Sequence, residues 1–600
     1  MKIGHIFNEV KRDNNDTKVF ITPQEFEVDF IENFDKGYNK DFSINNGYDK
    51  LYYEALEPIE DKSVISKYDN EKIDKFLEKI EDEVLMISGD FWGIQKFIFD
   101  GLSSKNAAKI LRSRSALIQL ITYAVADYIN NKFVSEIVLF GAGKFLILAK
   151  PDNYEEILNN IQKSIDEYFL NNFFGQNGLI FSYQLTTKDK IKSQDSEEMK
   201  EDLLNLGKKN ELKKLNKFDL VSLGDDCVID IFNNAKKDDE ICGFCNKRLA
   251  VSKNKDENVC SICNSQIRLG ESLTKFDYMQ IYKSKDSKDI KIIEIEDISY
   301  YVKFSNEIKD LKENIFDITN KKYRGITKWP LSSFVAKNDK GVMSFKELQG
   351  DSGALMALKA DIDKLGDTFR DFYMTSFKKF NRLSRELEFF FANYLPYIIE
   401  NNEEYNKKIY IIFAGGDDLF LIGEYKTIIK FAKEIREKFY QFSLKKATLS
   451  MGLVMFKHST PITFVSKLAD DAEARAKETK DENGNTRDGI DIFGIDMKFY
   501  EFLDIENRWK NIVEELENKN IDTTTFYYRI IEFAKMKEEM KKEPLNAMWK
   551  SKLSYIFKRN LKGIKDEVFS DIVNLIEKYG IKIQPSVFLT IYKNRFKEQK

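Results

Sequence analysis

The sequence predicts an α+β chain of several domains, and three observations predict it. An order of strands and helices, β-α-β-β-α-β, is written twice. Four cysteines in two C-x₂-C pairs lie between the copies, and the last hundred residues carry only helical periodicity. A chain of 600 residues outgrows one hydrophobic core, and about 150 residues per domain gives roughly four domains. The boundaries fall as an N-terminal segment at 1–80, the first repeat at 81–190, a linker domain with the cysteines at 191–345, the second repeat at 346–500 and a helical bundle at 501–600.

Composition narrows the function classes. A hydrophobic fraction of 42% with only 8 Pro and 28 Gly fits folded cores better than long disordered tracts. The formal net charge of -4 gives no whole-chain signature of nucleic-acid binding, although local basic patches remain open to RNA. The start, MKIGHIFNEVKRDNNDT, has no apolar signal region, and no run of 18 apolar residues occurs, so the expectation is a cytoplasmic protein with no membrane contact. His5 and His458 are the entire histidine supply, which excludes histidine-rich metal hydrolases, and neither lies near a G-x-S-x-G elbow.

Taken in order, residues 83–90 (EVLMISGD) read as a strand, 103–130 as a long helix, 135–140 and 144–149 as a hairpin, 153–170 as a helix and 178–186 as a strand. The linker follows. Cys242, Cys245, Cys260 and Cys263 have zinc-ribbon spacing, each pair biting one side of a tetrahedral ion, and four thiolates leave no open position for catalysis. Two disulfides are the alternative, disfavoured by a reducing cytoplasm. Lys247, Arg248, Lys253 and Lys255 between the pairs read either as phosphate contacts or as a solvated loop, and Cys227 as a small buried apolar residue.

The order then returns: strand 353–361, helix 375–400, strand 407–413, strand 418–423, helix 424–440, strand 447–456 and helix 463–478. Both copies are the ferredoxin-like arrangement used by polymerase palms and nucleotide cyclases. In each, the first strand ends in an acid, Asp90 or Asp361. The hairpin turn follows 51 or 54 residues later, as GAGK at 141–144 and GGDD at 415–418. Gly415 and Gly416 allow a tight turn and a close phosphate approach, while Asp361, Asp417 and Asp418 group hard oxygen ligands suited to a pair of Mg²⁺ or Mn²⁺ ions. A plain hairpin with turn-favoured Gly and Asp is the competing reading.

Asp363 and Asp367 read as further ligands or as an acidic helix entry, and Lys477 as a triphosphate contact or a surface lysine. Lys105, Lys109, Arg112 and Arg114 read as a positive wall for a second nucleotide or RNA, or as a solvated, salt-bridged face.

The segments S-G-D-F-W-G-I-Q-K-F-I-F (88–99), A-A-K-I-L-R-S-R-S (107–115), the cysteine pairs, L-K-A-D-I-D-K-L-G (358–366), A-G-G-D-D-L-F (414–420) and T-L-S-M-G (448–452) occur together in this order. In combination they resemble the large subunit of type III CRISPR effector complexes of the Csm kind. The resemblance implies palm domains of the GGDEF/cyclase type and synthesis of cyclic oligoadenylates from ATP when the complex captures foreign RNA. It assigns metal and catalysis to Asp361, Asp417 and Asp418, with Ile362 beside them at the metal. ATP falls to Gly415, Gly416 and Lys477, and a second ATP to the GAGK copy with Gly141 and Gly143. It also implies crRNA and target RNA as partners, and a small helical subunit against the C-terminal bundle, where Phe533, Met540, Trp549, Ile556 and Ile572 are the apolar positions.

Such subunits often begin with a nuclease domain bearing a His-Asp pair. Here His5 is followed by Ile6, so single-strand DNA nuclease activity is expected to be absent. A stand-alone cyclic-dinucleotide cyclase would not need the cysteine module or the helical tail. A silent scaffold gripping guide and target RNA would not need the carboxylate set, and a template-copying polymerase ranks last for want of fingers.

Overall fold

The computed structural model describes residues 10–12, 19–21, 70–102, 107–141, 143–218, 239–254, 257–311, 314–319, 329, 331, 335–339, 341–368, 370, 374–400, 402–416, 418–443, 447–518, 524–561 and 564–597.

Alternation of buried side chains along β1 (Glu83–Trp92) sends Leu85 and Ile87 to one face and Val84 and Met86 to the other, so a strand covered on both sides results. It is followed by α1 (Ala107–Asn130), β2 (Ser135–Gly141), β3 (Lys144–Ala149), α2 (Tyr154–Phe173) and β4 (Gly178–Thr187). The sheet order is β2-β3-β1-β4. A further helix, α3 (Glu197–Leu215), opens on Ser196, whose hydroxyl accepts from the Met199 amide as an N-cap, and packs along β4 and β1.

The linker holds α4 (Ser261–Lys275) and a four-stranded antiparallel sheet of β5 (Tyr278–Ser284), β6 (Ile290–Ile295), β7 (Ile298–Ser305) and β8 (Ile315–Asp317), in the order β6-β7-β5-β8. This sheet is an addition to the sequence reading. Its signal was the two β-rich runs KIIEI and ISYYVKFS separated by two residues, with Glu296 at a φ of 51° in the turn.

The second repeat comprises β9 (Leu355–Ile362), α5 (Phe377–Phe389), β10 (Ile409–Gly415), β11 (Asp418–Glu424), α6 (Tyr425–Phe442), β12 (Leu449–Phe456) and α7 (Ile462–Glu478). Its order, β10-β11-β9-β12, repeats that of the first. The strands β13 (Gly489–Ile492) and β14 (Ile495–Lys498) extend it, β13 running parallel to β12. The likeness extends to defects: each outer strand carries a one-residue bulge at the same distance before its turn, between Ile137 and Leu139 and between Ile411 and Phe413.

The repeats interlock. Leu355 and Ala357 of β9 join the core of the first repeat and linker, whereas Met356, Leu358 and Ala360 join a second core. Arg112 on α1 reaches Tyr410 on β10, and Phe377 on α5 is buried among Val84, Met86, Leu146 and Leu148 of the first sheet. Each repeat thus lays its first helix on the other's sheet, and the two turns come to one interface.

The C-terminal helices are α8 (Phe499–Asn518), α9 (Thr524–Glu539), α10 (Trp549–Asn560), α11 (Asp566–Tyr579) and α12 (Gln584–Lys597). Their core is continuous with the second repeat's. Phe533, Trp549 and Ile572 are buried inside it and so hold the bundle together rather than face a partner. Met540 stays exposed, beside Leu545, Met548 and Tyr555.

Candidate active site at the two hairpin turns

Gly415 pairs with Asp418 across the second turn, which leaves Gly416 and residue 417 as its two central positions. Gly416 has a φ of 64°, a left-handed conformation that a side chain would strain. Asp417 lies outside the described residues. Asp418 is the first residue of β11 and stands directly opposite Asp361 of β9, both half-buried, so two carboxylates share one sheet edge. Ile362 is buried next to Asp361, and only its backbone carbonyl is a donor for a cation.

From α7, Lys477 forms an ion pair with Asp361 and lies 2.5 Å from Glu473 Oε1. Burial opposes its charge, but the Asp361 and Glu473 carboxylates outweigh that and hold the ammonium above its ordinary range. A cation is therefore already drawn to the place where the sequence reading puts one.

The first turn has the same frame with inverted charge. Gly141 pairs with Lys144, Gly143 has a φ of 82°, and Lys144 stands opposite Asp90, where Asp418 stands opposite Asp361. Lys214 from α3 reaches Asp90 Oδ2 at 2.7 Å, the counterpart of Lys477 and Asp361. Lys214 also pairs with Glu211 at 2.7 Å, as Lys477 does with Glu473, so the two sites differ chiefly in having Lys144 where the second repeat has Asp418. Lys214 escaped the sequence reading because its helix was not recognised as the partner of α7 in the repeat.

Of the other expectations, the acidic helix entry at Asp367 and a salt-bridged Lys109 agree with the structure, and those for Asp363, Arg112 and Arg114 are corrected. Asp363 is buried and fully occupied: its carboxylate accepts from Thr448 Oγ1 at 2.6 Å, Ser450 Oγ at 2.7 Å and the Asp488 amide at 2.9 Å, which fixes the loops around the sheet end. Asp367 pairs with Arg370 on the surface. Arg112 and Arg114 form neither a positive wall nor a solvated face, for they are 2% and 7% exposed. Arg112 donates to Gly270 O at 2.6 and 2.9 Å and to Tyr410, and Arg114 clasps the carbonyls of Phe97, Ile98 and Asp100 and the Gln266 side chain. Lys109 pairs with Glu271. Lys105, His5 and Cys227 lie outside the described residues, and His458 is exposed against Gln349.

The thiols of Cys242, Cys245, Cys260 and Cys263 are buried and unbridged, with their sulfur atoms within 4.8 Å of one another, an arrangement that can hold a metal ion. Around them, Lys247 and Arg248 are spent on the first repeat. Lys247 reaches Asp100 at 2.6 Å and Gln176 at 2.7 Å, and Arg248 donates to Asn172 O and stacks over Phe174. Lys253 is exposed, and Lys255 lies outside the described residues. Among the described residues no helix is long and apolar enough to cross a membrane.

Comparison with known proteins follows the same outline. Residues 354–486 match the family model of the Cas10/Cmr2 second palm domain, and residues 83–226 match Csm1 subunit domain B. The CRISPR system single-strand-specific deoxyribonuclease Cas10/Csm1 (subtype III-A) of Streptococcus thermophilus is 24% identical over 495 residues, covering 77% of this chain and 61% of the relative. The protein of the same name from Thermococcus onnurineus is 25% identical over 556 residues, covering 84% and 68%. The chain spans about three fifths of the length of the Streptococcus relative. Among solved structures, the apo Csm1-Csm4 cassette matches with a TM-score of 0.62 at 18% identity, covering 90% of this chain and 72% of the other. The Csm1-Csm4 cassette in complex with one ATP matches with a TM-score of 0.62 at 20% identity, covering 85% and 70%. The cassette in complex with cA3 gives 0.62 at 20%, covering 85% and 69%.

Proposed function

Because the chain belongs to the family of Cas10/Csm1 large subunits of type III-A CRISPR complexes, we propose that it joins ATP molecules into cyclic oligoadenylates, as one subunit of an RNA-guided complex and on capture of target RNA. The observation that carries this reading is the facing of Asp361 and Asp418 across one sheet edge, with the turn's glycines beside them.

The donor set fits a hard divalent cation: carboxylate oxygens from Asp361 and Asp418, with Asp417 between them in sequence and the Ile362 carbonyl adjacent. Mg²⁺ or Mn²⁺ held there would activate an attacking 3′-hydroxyl and stabilise departing pyrophosphate. The chain's own residues do the rest. Gly415 and Gly416 let a triphosphate approach the backbone, and Lys477 neutralises phosphate charge when a cation takes its place at Asp361.

In the first repeat Lys144 stands where the second has Asp418, so that turn favours an anion more than the second does and holds the phosphates of a second ATP over Gly141 and Gly143. Two nucleotides fixed at one interface make the joining step effectively unimolecular, and no protein nucleophile is required. The solved cassettes with ATP and cA3 make adenine nucleotides the substrates to try first.

The four cysteines fit zinc in a structural role, closed to substrate. The exposed Met540, Leu545, Met548 and Tyr555 give the small helical subunit a face on the bundle, and crRNA and target RNA reach the chain within the complex. The test is to incubate the guide-loaded complex with labelled ATP and Mg²⁺, with and without matching RNA. RNA-dependent oligoadenylates absent from Asp417→Ala/Asp418→Ala support the synthase. Well-assembled wild type that yields no product with any nucleotide would leave a scaffold that grips crRNA and target RNA.

A further inference from the structure

Glu388 is an acidic side chain that meets both turns. On α5 it continues the stripe Phe377, Asn381, Ser384, spaced so that all four share one helix face, and this is the face laid on the first repeat's sheet. Its Oε2 accepts from the Gly416 amide at 3.2 Å. On its other side it fills the space that a side chain at Gly141 would need: a Cβ there would lie 2.8 Å from the Glu388 carboxyl carbon and from Oε2, and 3.2 Å from Oε1.

Among the described side chains no lysine or arginine pairs with it. Burial pushes its carboxyl up to about 7, against a smaller opposing effect of the Gly416 amide, so near neutral pH its charge is partial, and in either form an oxygen can accept a hydrogen bond and fill the space beside Gly141. A half-buried carboxyl is costly to keep, and in return this one accepts from the Gly416 amide and packs against Gly141.

We propose that Glu388 is a positioning residue for the reaction assigned above, holding the second repeat's turn through the Gly416 amide and keeping it at a fixed distance from Gly141 in the first. The inference rests on the synthase reading, since it is the register of the two nucleotide sites that this contact would set. Gly416 precedes Asp417 and Asp418, so a turn released at its amide would let those carboxylates drift, and misplacement on the order of 1 Å costs up to about 100-fold in rate.

The test uses the full chain in its assembled complex, in wild type, E388A, E388Q, G141A and the double variant G141A/E388A. Steady-state turnover of ATP is read alongside hydrogen–deuterium exchange at the peptide containing Gly416. E388A should lower kcat by about tenfold or more with KM within about twofold, and should speed exchange at Gly416. E388Q keeps an acceptor oxygen and should restore both. G141A should reproduce the E388A defect by pushing the carboxyl off Gly416, and the double variant should be no worse than E388A, because the new methyl then meets no carboxyl.

Unchanged turnover and exchange in E388A, or defects of G141A and E388A that multiply, would overturn the proposal. Should wild type make no product, the synthase reading falls, and the exchange data still decide whether Glu388 holds the turn. G141A carries the test if E388A does not fold.

Discussion

At the scale of single residues, charge separates two sites built on one frame. Asp361 and Asp418 face each other where Asp90 and Lys144 do in the first copy, and a lysine from the following helix reaches each strand-end acid, Lys477 in one and Lys214 in the other. Lys477→Ala is expected to weaken ATP binding about tenfold or more, the loss of one charge-assisted contact of ~1.5–3 kcal/mol, read as a rise in Kd for ATP with divalent metal present. Glu388 gives a pH signature. Its carboxyl holds a proton more tightly folded, at about 7, than at the ordinary 4.5, so its contribution to stability is full below about 4.5 and is lost as pH rises through about 7. The thermal midpoint of E388Q relative to wild type should therefore climb between those two values, and a constant difference would count against the assigned environment.

Most strands, helices and turns of both repeats were legible because their periodicity switches cleanly from 2 to 3.6, whereas α3, β13 and β14 were not read. The paired acids Asp90 and Asp361, each set ahead of a Gly-rich turn, marked the site. What could not be read was the destination of the basic residues. Arg112 and Arg114 look like a surface stripe on a helix, yet the crossing of α1 with α4 and β10 buries them. Gly270 shows why the crossing is so close: a Cβ there would lie 2.1 Å from Lys109 O. Long-range contact of this kind leaves no local periodicity.

Tyr410→Phe removes the hydroxyl that accepts from Arg112 and donates to Ala108 O at 3.0 Å, which should cost about 1–3 kcal/mol, seen as a lower thermal midpoint. Purified protein should carry one zinc per chain by elemental analysis. Its removal by chelator should loosen Asp100 and the first turns of α1 around Arg114, because Lys247 and Gln266 of the cysteine module hold those two side chains, and should raise hydrogen exchange there.

Across the whole molecule, the interlock makes the repeats interdependent. Each first helix covers the other's sheet, the cysteine module binds the first repeat, and the bundle shares a core with the second. Motion imposed at either end can then reach the interface of the turns through α1, α5 and the helix at Ile94–Phe99, whose last carbonyl accepts from Thr463 of α7 at 2.7 Å. In the proposed reaction the two turns divide the labour, with chemistry at the second turn and nucleotide holding at the first. The most direct test of this division is kcat and KM for labelled ATP in the RNA-bound complex, compared between Asp418→Ala and Lys144→Ala. Loss of kcat by ~100-fold or more in Asp418→Ala, against a raised KM with largely preserved kcat in Lys144→Ala, is the expected result. Turnover in Asp418→Ala equal to wild type would contradict the assignment.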